Sequence, residues 1–285
     1  MDKQLIKIYV IIAAALLFLT AFLPMVIGKT SGLLKDIAVK LNLLIYGKQQ
    51  TESSIDKIQG NIIFIFDDGW ITQYTNGFKV LKHYDLKANI AVVSNRVGKK
   101  EYMNYKELAE VYKNGWDLLN HTYDHPDLRT LNEKEQASEI NKGRDWLSHN
   151  LFQRGKDIIV FPGSFYTNAT LEIVKKNNYT AGCSFDGIWL AKNDSFLNDV
   201  DVCNLCSSES TGQAISFIDK AIKNKSTVIF VVNKIEKITD DTQMQYEPQE
   251  FMQIVNYISE HKEALNVLTM TEFLQSRTDV YNKEF

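Results

Sequence analysis

The chain has 285 residues, of which 45% are apolar and 24% are charged, and its formal net charge is −3. This composition is typical of a globular protein with one large domain or two small ones. It argues against a nucleic-acid-binding protein, because such proteins usually present a strongly basic face.

The N-terminal part of the chain contains an uncharged apolar stretch, residues 8–27. Its 20 residues are long enough to cross a bilayer as a helix, so we expect residues 1–28 to form a single-pass membrane anchor. A cleaved signal segment is the alternative, although the apolar core of such a segment is normally shorter. Lysines lie on both sides of the stretch and therefore do not predict its orientation. Residues 29–57 have the composition of a connector.

From residue 58 onward, short apolar runs alternate with helix-like patterns, which is typical of a parallel sheet with helical crossovers. We predict strands at 61–66, 88–93, 116–119, 157–161, 180–184, 227–232 and 265–269. Seven such units favour a (β/α) barrel over residues 58–277, with residues 278–285 as a C-terminal tail. In such barrels the chemistry lies at the carboxyl ends of the strands.

The first predicted strand ends in two adjacent carboxylates, Asp67 and Asp68, in the sequence NIIFIFDDGW. Two such groups repel each other, and burying them without partners is costly. A metal ion, a basic side chain or open water must therefore balance their charge.

The third predicted strand is followed by the sequence NHTYDHP, which places His121 and His125 four residues apart. Pro126 disfavours helical geometry at His125, so we expect a loop here. Two histidines and a carboxylate from a separate strand end suit a divalent metal, with zinc as the first candidate. One aspartate would bind the metal and the other would take a proton from the metal-bound water, as in an amide or ester hydrolase. A structural metal site is the alternative, but it normally has four protein ligands and we count three.

The sequences FIFDDGW and HTYDH resemble the first two motifs of the polysaccharide deacetylase family, also called the NodB homology domain or carbohydrate esterase family 4. The resemblance extends over residues 58–275 in motif order and spacing. It implies a distorted (β/α) barrel and a metal-dependent removal of acetyl groups from a glycan. It also implies that Asp67 is the general base. The implied metal ligands are Asp68, His121 and His125.

The third and fourth motifs match this family less closely. The family's third motif is usually Arg-x-Pro-Tyr/Phe-Gly, and the sequence VFPGSFY keeps Pro162 but has no arginine before it. The resemblance therefore implies that Asp67 lacks the arginine that orients it in the family. The resemblance places the backbone amide of Gly163 at the oxyanion, and it places Pro162, Asp186 and Trp189 along the substrate groove. A simple proline turn and a core tryptophan are the alternatives for these two segments.

The fifth motif departs most, because a segment containing Val231 and Asn233 stands where the family has Leu-x-His. The resemblance places Val231 in the substrate groove and Asn233 at the position of the general acid. Asparagine cannot transfer protons, and general acid catalysis typically contributes about 10²–10⁴-fold. The enzyme could be slow, another acid (Asp240, Asp241 or Asp67) could supply the proton, or the domain could bind glycan without cleaving it.

The chain contains three cysteines, Cys183, Cys203 and Cys206. The spacing of Cys203 and Cys206 suits metal or redox chemistry, but a zinc knuckle needs a second pair. We expect ordinary half-buried thiols, and one disulfide is the alternative if the domain lies outside the cytoplasm.

These features together predict a metal-dependent hydrolase that removes acetyl groups from an N-acetylated or O-acetylated polysaccharide of the cell envelope or the extracellular space. In this hypothesis the metal-bound water attacks the acetyl carbonyl with Asp67 as general base. The expected partners are the glycan and, through the N-terminal helix, the cell membrane, with the catalytic domain outside the cytoplasm. Secretion after signal cleavage is the alternative location. A weak or inactive carbohydrate-binding module that keeps the metal site is the second hypothesis.

Overall fold

The computed structural model describes residues 59–239 and 244–281. The predicted membrane segment, the connector and the pair Asp240 and Asp241 lie outside these ranges. Within them, no helix combines the length and the apolar character that a membrane crossing requires.

All of the predicted strands are present in the described residues, as β1 (Gly60–Phe66), β2 (Asn89–Val92), β3 (Asp117–Asn120), β4 (Ile158–Val160), β5 (Ala181–Ser184), β9 (Thr227–Val232) and β12 (Leu265–Val267). The sequence analysis missed five further strands, β6 (Gly187–Leu190), β7 (Ser195–Phe196), β8 (Val200–Leu205), β10 (Lys234–Ile235) and β11 (Gln245–Tyr246). Most of these are short or partly exposed, so they lack the continuous apolar run of a buried parallel strand.

Ten of the strands form one curled sheet in the order β7-β6-β5-β4-β3-β2-β1-β9-β8, and β12 also pairs with β1. Only a short turn separates β5 from β6, so β6 and then β7 pair in antiparallel fashion while the other strands are parallel. β7 and β8 end the strand order, and no pairing among the described residues joins them. The predicted distorted (β/α) fold is therefore confirmed in its coarse form, as a curled, mixed half-barrel with helices, but its main sheet has ten strands where about seven were predicted.

Helices connect most of the strands within the same described ranges. A π-helical turn, Gln73–Phe78, leads into the first of them. The α-helices are α1 (Lys79–His83), α2 (Tyr105–Lys113), α3 (Glu133–His149), α4 (Asn168–Lys176), α5 (Thr211–Asn224), α6 (Pro248–Glu260) and α7 (Met270–Tyr281).

The central strand β1 is buried on both of its faces, as expected for a strand inside a parallel sheet. On one face, Ile63 and Ile65 pack into an inner cluster that also contains Val231 of β9. On the other face, the rings of Phe64 and Phe66 stack with their centroids 6.4 Å apart. This burial fixes the register of β1, and with it the position of the two carboxylates that follow it.

The register of the sheet brings the carboxyl ends of its central strands to one edge. Phe66 at the end of β1 pairs with Val232 at the end of β9. Val92 at the end of β2 pairs with Asn120 at the end of β3. The residues that follow these strands therefore meet at the same edge, which we call the carboxyl edge.

Candidate active site

The chain turns sharply where β1 ends, and this turn positions the two carboxylates. The N–H of Asp67 donates to the carbonyl of Val232 at 2.9 Å, which continues the pairing of β1 with β9. Asp68 and Gly69 then adopt φ values of 73° and 79°. Glycine adopts this left-handed region freely, and aspartate tolerates it better than most residues do. Asp68 is buried, although it is charged.

His121 follows β3 directly and is held by the two strands that flank β3. Its N–H donates to the carbonyl of Val92 at 3.1 Å. Its Nδ1 lies 2.7 Å from the carbonyl oxygen of Val160, at the end of β4. Because a carbonyl oxygen can only accept, Nδ1 carries the hydrogen and Nε2 keeps its lone pair. This is the arrangement of a histidine metal ligand whose other nitrogen is fixed by the protein.

His125 lies in a loop, as the following proline predicts, and completes a compact group of ligand atoms. Its backbone adopts a φ of 62°, and its N–H donates to Oγ1 of Thr122 at 3.1 Å. Its Nε2 is 3.5 Å from Oδ1 of Asp68. The ligand atoms of Asp68, His121 and His125 all lie within 4.8 Å of one another.

The electrostatics of this group favour the ligand form of both histidines. Burial lowers the pKa of His121 to about 4, and it also lowers the pKa of His125. Both rings are therefore neutral near pH 7, and a neutral imidazole is the form that binds a metal. Two neutral histidines and one carboxylate fit a divalent cation and leave coordination positions open for other ligands.

Asp68 has two further partners that the sequence analysis missed. Nη1 of Arg96 lies 2.7 Å from Oδ1, and the indole Nε1 of Trp70 donates to Oδ2 at 3.1 Å. These contacts fix the carboxylate and balance its charge. Trp70 stands two residues after Asp68 in the sequence, so its proximity could have been inferred. Arg96 comes from the segment after β2, and only the three-dimensional fold brings it here.

Asp67 has a different environment from Asp68. Burial, together with the charge of Asp68, raises the pKa of Asp67 well above its usual value. Its Oδ1 is buried and has no hydrogen-bond partner among the described residues. This agrees with the absence of an arginine before Pro162 in the sequence. A carboxylate left without donors is a strong base for a proton that is brought to it.

Gln73 joins the strand ends that carry Asp67 and Asn233. Its side chain is fully buried, and its Nε2 donates to the carbonyl of Asp67 at 2.5 Å and to the carbonyl of Asn233 at 2.7 Å. Asn233 therefore lies at the carboxyl edge directly after β9, beside the end of β1. The sequence analysis placed Asn233 in the fifth motif, and it did not identify Gln73.

The segment after β4 forms a tight turn next to His121, since the last residue of β4 is Val160. Pro162 in this turn is buried, and Gly163 is exposed with a φ of 59°. The turn therefore also lies at the carboxyl edge, where the third motif was expected.

Two residues expected along the substrate groove are part of the core instead. Trp189 on β6 is 2% exposed and packs with Phe161, and its indole N–H donates to Asp194 at 3.2 Å. It thus has no free face for a sugar ring, and the core alternative for Trp189 is the one observed. The side chain of Val231 is likewise buried in the inner cluster. Asp186 is exposed and accepts a hydrogen bond from the hydroxyl of Tyr166 at 2.9 Å.

The three cysteines Cys183, Cys203 and Cys206 are buried and free in the structure. Burial raises the pKa of Cys183 and of Cys203 to about 12. Such thiols are poor nucleophiles at neutral pH. They are structural residues, more buried than the sequence analysis expected.

The chain is similar in sequence to proteins named as polysaccharide deacetylases. Residues 55–182 match the family described as Polysaccharide deacetylase. YxkH of Bacillus subtilis, whose name assigns it provisionally to the polysaccharide deacetylases, is 31% identical over 121 residues, or 42% of this chain and 43% of YxkH. The poly-β-1,6-N-acetyl-D-glucosamine N-deacetylase of Staphylococcus aureus strain N315 is 30% identical over 135 residues, or 42% of this chain and 46% of that protein. The chain thus matches less than half the length of these relatives.

Solved structures show a similar fold. The family 4 carbohydrate esterase from Streptomyces lividans has a TM-score of 0.52 at 15% identity, over 75% of this chain and 94% of the esterase. The peptidoglycan deacetylase PdaC from Bacillus subtilis has a TM-score of 0.52 at 19% identity, over 81% of this chain and 97% of PdaC. At these identities the likeness concerns the fold alone. Fold, motif order and sequence match therefore agree in their resemblance to the polysaccharide deacetylase family, whose model matches residues 55–182 of this chain.

Proposed function

We propose that this chain is a metal-dependent hydrolase that removes acetyl groups from an N-acetylated polysaccharide. The observation that carries the proposal is the group formed by Asp68, His121 and His125. Next to it in the chain is Asp67, whose Oδ1 has no hydrogen-bond partner among the described residues. The name of the relative that acts on poly-β-1,6-N-acetyl-D-glucosamine supports an N-acetylated polymer as the substrate class.

Asp68, His121 and His125 are proposed to hold a divalent cation, with zinc as the first candidate because two imidazoles and one carboxylate suit it. Such a cation polarises a carbonyl group and lowers the pKa of a water molecule bound to it. Val160 fixes the tautomer of His121, and Trp70 fixes the carboxylate of Asp68, so the protein pre-forms the site.

Asp67 is proposed to act as the general base that takes a proton from the attacking water. Its buried, unpartnered Oδ1 can accept that proton at little cost, because burial already raises its pKa. A cation held by Asp68 would oppose this rise and keep Asp67 ionised before the reaction. The N–H of Gly163, in the turn after β4, is proposed to stabilise the oxyanion that forms.

The amine that leaves the substrate needs a proton, and Asn233 cannot supply it. Asp67 is proposed to return the proton it has taken, because a carboxyl group with a raised pKa can act as base and then as acid. Asp240 and Asp241 are the other candidates that the sequence offers. If the general acid is weak, we expect slow release of the amine. Such an enzyme would favour O-acetyl groups, because an alkoxide leaves more readily than an amine.

Changing Asn233 to histidine is expected to raise the rate of N-deacetylation by about tenfold or more, because it restores a general acid beside β1. The rate of acetate release from an N-acetylglucosamine oligomer measures this effect. Asn114→His, at the exposed C-terminal end of α2, is the matched control and should leave the rate unchanged. An Asn233→His rate equal to that of the parent chain would show that position 233 is not the acid position.

Acetate release by the full-length, zinc-loaded chain tests the proposed function as a whole. The substrates are N-acetylglucosamine oligomers and O-acetylated glycans, and Asp67→Asn is the negative control. Release from either class that disappears in the control supports a deacetylase and identifies the preferred acyl linkage. Zinc-dependent binding of the glycans without any acetate release would favour the second candidate, a carbohydrate-binding module. The observation that supports this candidate is that the chain has Asn233 where the family has a histidine.

We also propose that the chain is anchored in the cell membrane with its catalytic domain outside the cytoplasm. The uncharged apolar stretch 8–27 supports this location, since envelope polysaccharides are within reach of a tethered domain. The full-length chain is expected in the membrane fraction of cells, and protease added to intact spheroplasts is expected to digest its C-terminal domain. Recovery in the medium would instead favour a cleaved signal segment, and protection from the protease would reverse the proposed orientation.

A further inference from the structure

The π-helical turn Gln73–Phe78 packs directly against the segment that follows β9. Nδ2 of Asn76 donates to the carbonyl of Ile235 at 2.7 Å. Gly77 lies so close that a Cβ atom there would be 2.8 Å from the side chain of Ile235. Turns of this kind are rare and are frequently found at functional sites. The turn therefore fixes the place of the segment after β9.

Gln73 continues the connection between β1 and β9 beyond the point where the two strands stop pairing. At the end of this pairing, the N–H of Asp67 donates to the carbonyl of Val232. The two hydrogens of Gln73 Nε2 are directed to the next carbonyl oxygens, those of Asp67 at 2.5 Å and Asn233 at 2.7 Å. Carbonyl groups withdrawn from water need donors, and one buried amide group supplies both. Gln73 thereby joins the residue of the proposed base to the residue at the acid position.

The contacts of Gln73 differ from those that fix the candidate metal ligands. Nη1 of Arg96 holds the carboxylate of Asp68 directly. Gln73 instead holds the backbone at Asp67 and Asn233, so a shift of its amide group moves both of these residues relative to the candidate metal ligands. A misplacement of about 1 Å can cost about 100-fold in rate. The loss of Gln73 is therefore expected to impair proton transfer more than metal binding.

We propose that Gln73 is a positioning residue for proton transfer, because it holds Asp67 and position 233 at fixed places beside the candidate metal ligands. This inference rests on the proposed function, in which Asp67 takes the proton of the attacking water. It goes beyond that function by giving a role to a residue that acts only through backbone carbonyl groups. One consequence is that the benefit of a histidine at position 233 depends on Gln73.

Gln73→Met tests this role in the full-length, zinc-loaded chain, because methionine has a similar length but no donor. It is expected to lower kcat for acetate release from N-acetylglucosamine oligomers at least about tenfold, with KM and zinc affinity nearly unchanged. The gain expected from Asn233→His should disappear in this background. Gln136→Met is the matched control, since Gln136 is also buried and its Nε2 donates to the carbonyl of Leu131 at 3.0 Å. Both variants are expected to melt at a lower temperature, but only Gln73→Met should lose kcat. Gln73→Asn, which keeps the amide group but is too short to reach both carbonyls, should show the same loss and serves if Gln73→Met does not fold.

Amide hydrogen exchange gives a second measurement that does not depend on turnover. The N–H groups of Lys234 and Glu236 make backbone hydrogen bonds of 2.8 and 3.1 Å, and we expect both to exchange faster in Gln73→Met but not in Gln136→Met. An unchanged kcat, an equal loss of kcat in both methionine variants, or unchanged exchange would overturn the positioning role while acetate release by the parent chain keeps the proposed function. Absence of acetate release by the parent, with faster exchange only in Gln73→Met, would overturn the deacetylase and keep Gln73 as the residue that positions the two strand ends.

Discussion

An Asp67→Asn variant is expected to keep its bound metal and to lose turnover by at least about 100-fold. The proposed metal ligands do not include Asp67, and its Oδ1 makes no hydrogen bond among the described residues that the change would break. Asparagine has nearly the same shape but cannot accept the proton of the attacking water. The change therefore removes the proposed base and leaves the candidate metal ligands in place.

Asp117→Asn is a suitable matched control for this variant. Asp117 is also fully buried, and burial also raises its pKa, but it lies at the start of β3, at the opposite edge of the sheet. Zinc per chain and the rate of acetate release are measured for both variants. Turnover that survives in Asp67→Asn would remove Asp67 from the mechanism. An equal loss of turnover in Asp117→Asn would show that changing a buried carboxyl group lowers turnover wherever that group lies in the fold.

The same variant has an expected effect on the stability of the metal-free protein. The pKa of Asp67 is higher in the folded chain than its usual 3.8, so folding opposes ionisation of this group. The free energy of unfolding is therefore highest below the pKa that Asp67 has in the unfolded chain. It decreases as the pH rises through the pKa that Asp67 has in the folded chain. Metal-free Asp67→Asn should therefore melt at a higher temperature than the parent near pH 7, and the difference should disappear below about pH 4. A parent that is the more stable one at neutral pH would contradict the assigned burial.

The positions of several candidate residues can be predicted from the sequence, because strand ends determine them. Asp67, Asp68, His121 and Asn233 each follow a buried run, and parallel strands bring their carboxyl ends to one edge. These positions need only strand assignment and direction, both of which the apolar runs indicate.

The contacts across the site depend on details that strand assignment does not contain. Arg96 reaches Asp68 from the end of a different strand, and Gln73 reaches Asn233 from a π-helical turn. No local pattern relates either residue to its partner. These two contacts form only because the fold brings the partners together.

The aromatic residues after β5 show a second limit of sequence reading. Phe185 and Trp189 stand four residues apart, and the resemblance placed Trp189 along the substrate groove, with a core tryptophan as the alternative. The tight turn from β5 into β6 exposes Phe185, while the pleat of β6 directs Trp189 into the core. The sequence analysis did not recognise β6 as a strand, so it had no basis for assigning these two faces.

An Asp68→Asn variant is expected to lose its bound zinc and, with it, turnover by more than about 100-fold, since even the outer partners of metal ligands contribute about 10- to 100-fold. Asparagine is preferable to alanine here, because Asp68 has a φ of 73° and asparagine tolerates the left-handed region. The amide oxygen is neutral, so it binds a divalent cation far more weakly than a carboxylate does. The change also leaves Arg96 without its anionic partner, which adds a positive charge close to the histidines.

Two measurements separate loss of the ligand from loss of the fold. Zinc per chain after dialysis reports the site directly, and the rise in melting temperature on adding zinc reports binding to the folded state. Asp85→Asn is the matched control, because Asp85 is exposed and has a φ of 55° outside the candidate site. We expect the control to bind zinc and to be stabilised by it as the parent chain is, while Asp68→Asn shows neither effect. A normal zinc content in Asp68→Asn would overturn the ligand assignment.

Because the cation needs all three side chains to be neutral or anionic and to face one point, the same loss of zinc is expected when His125, held at a φ of 62°, is changed to asparagine.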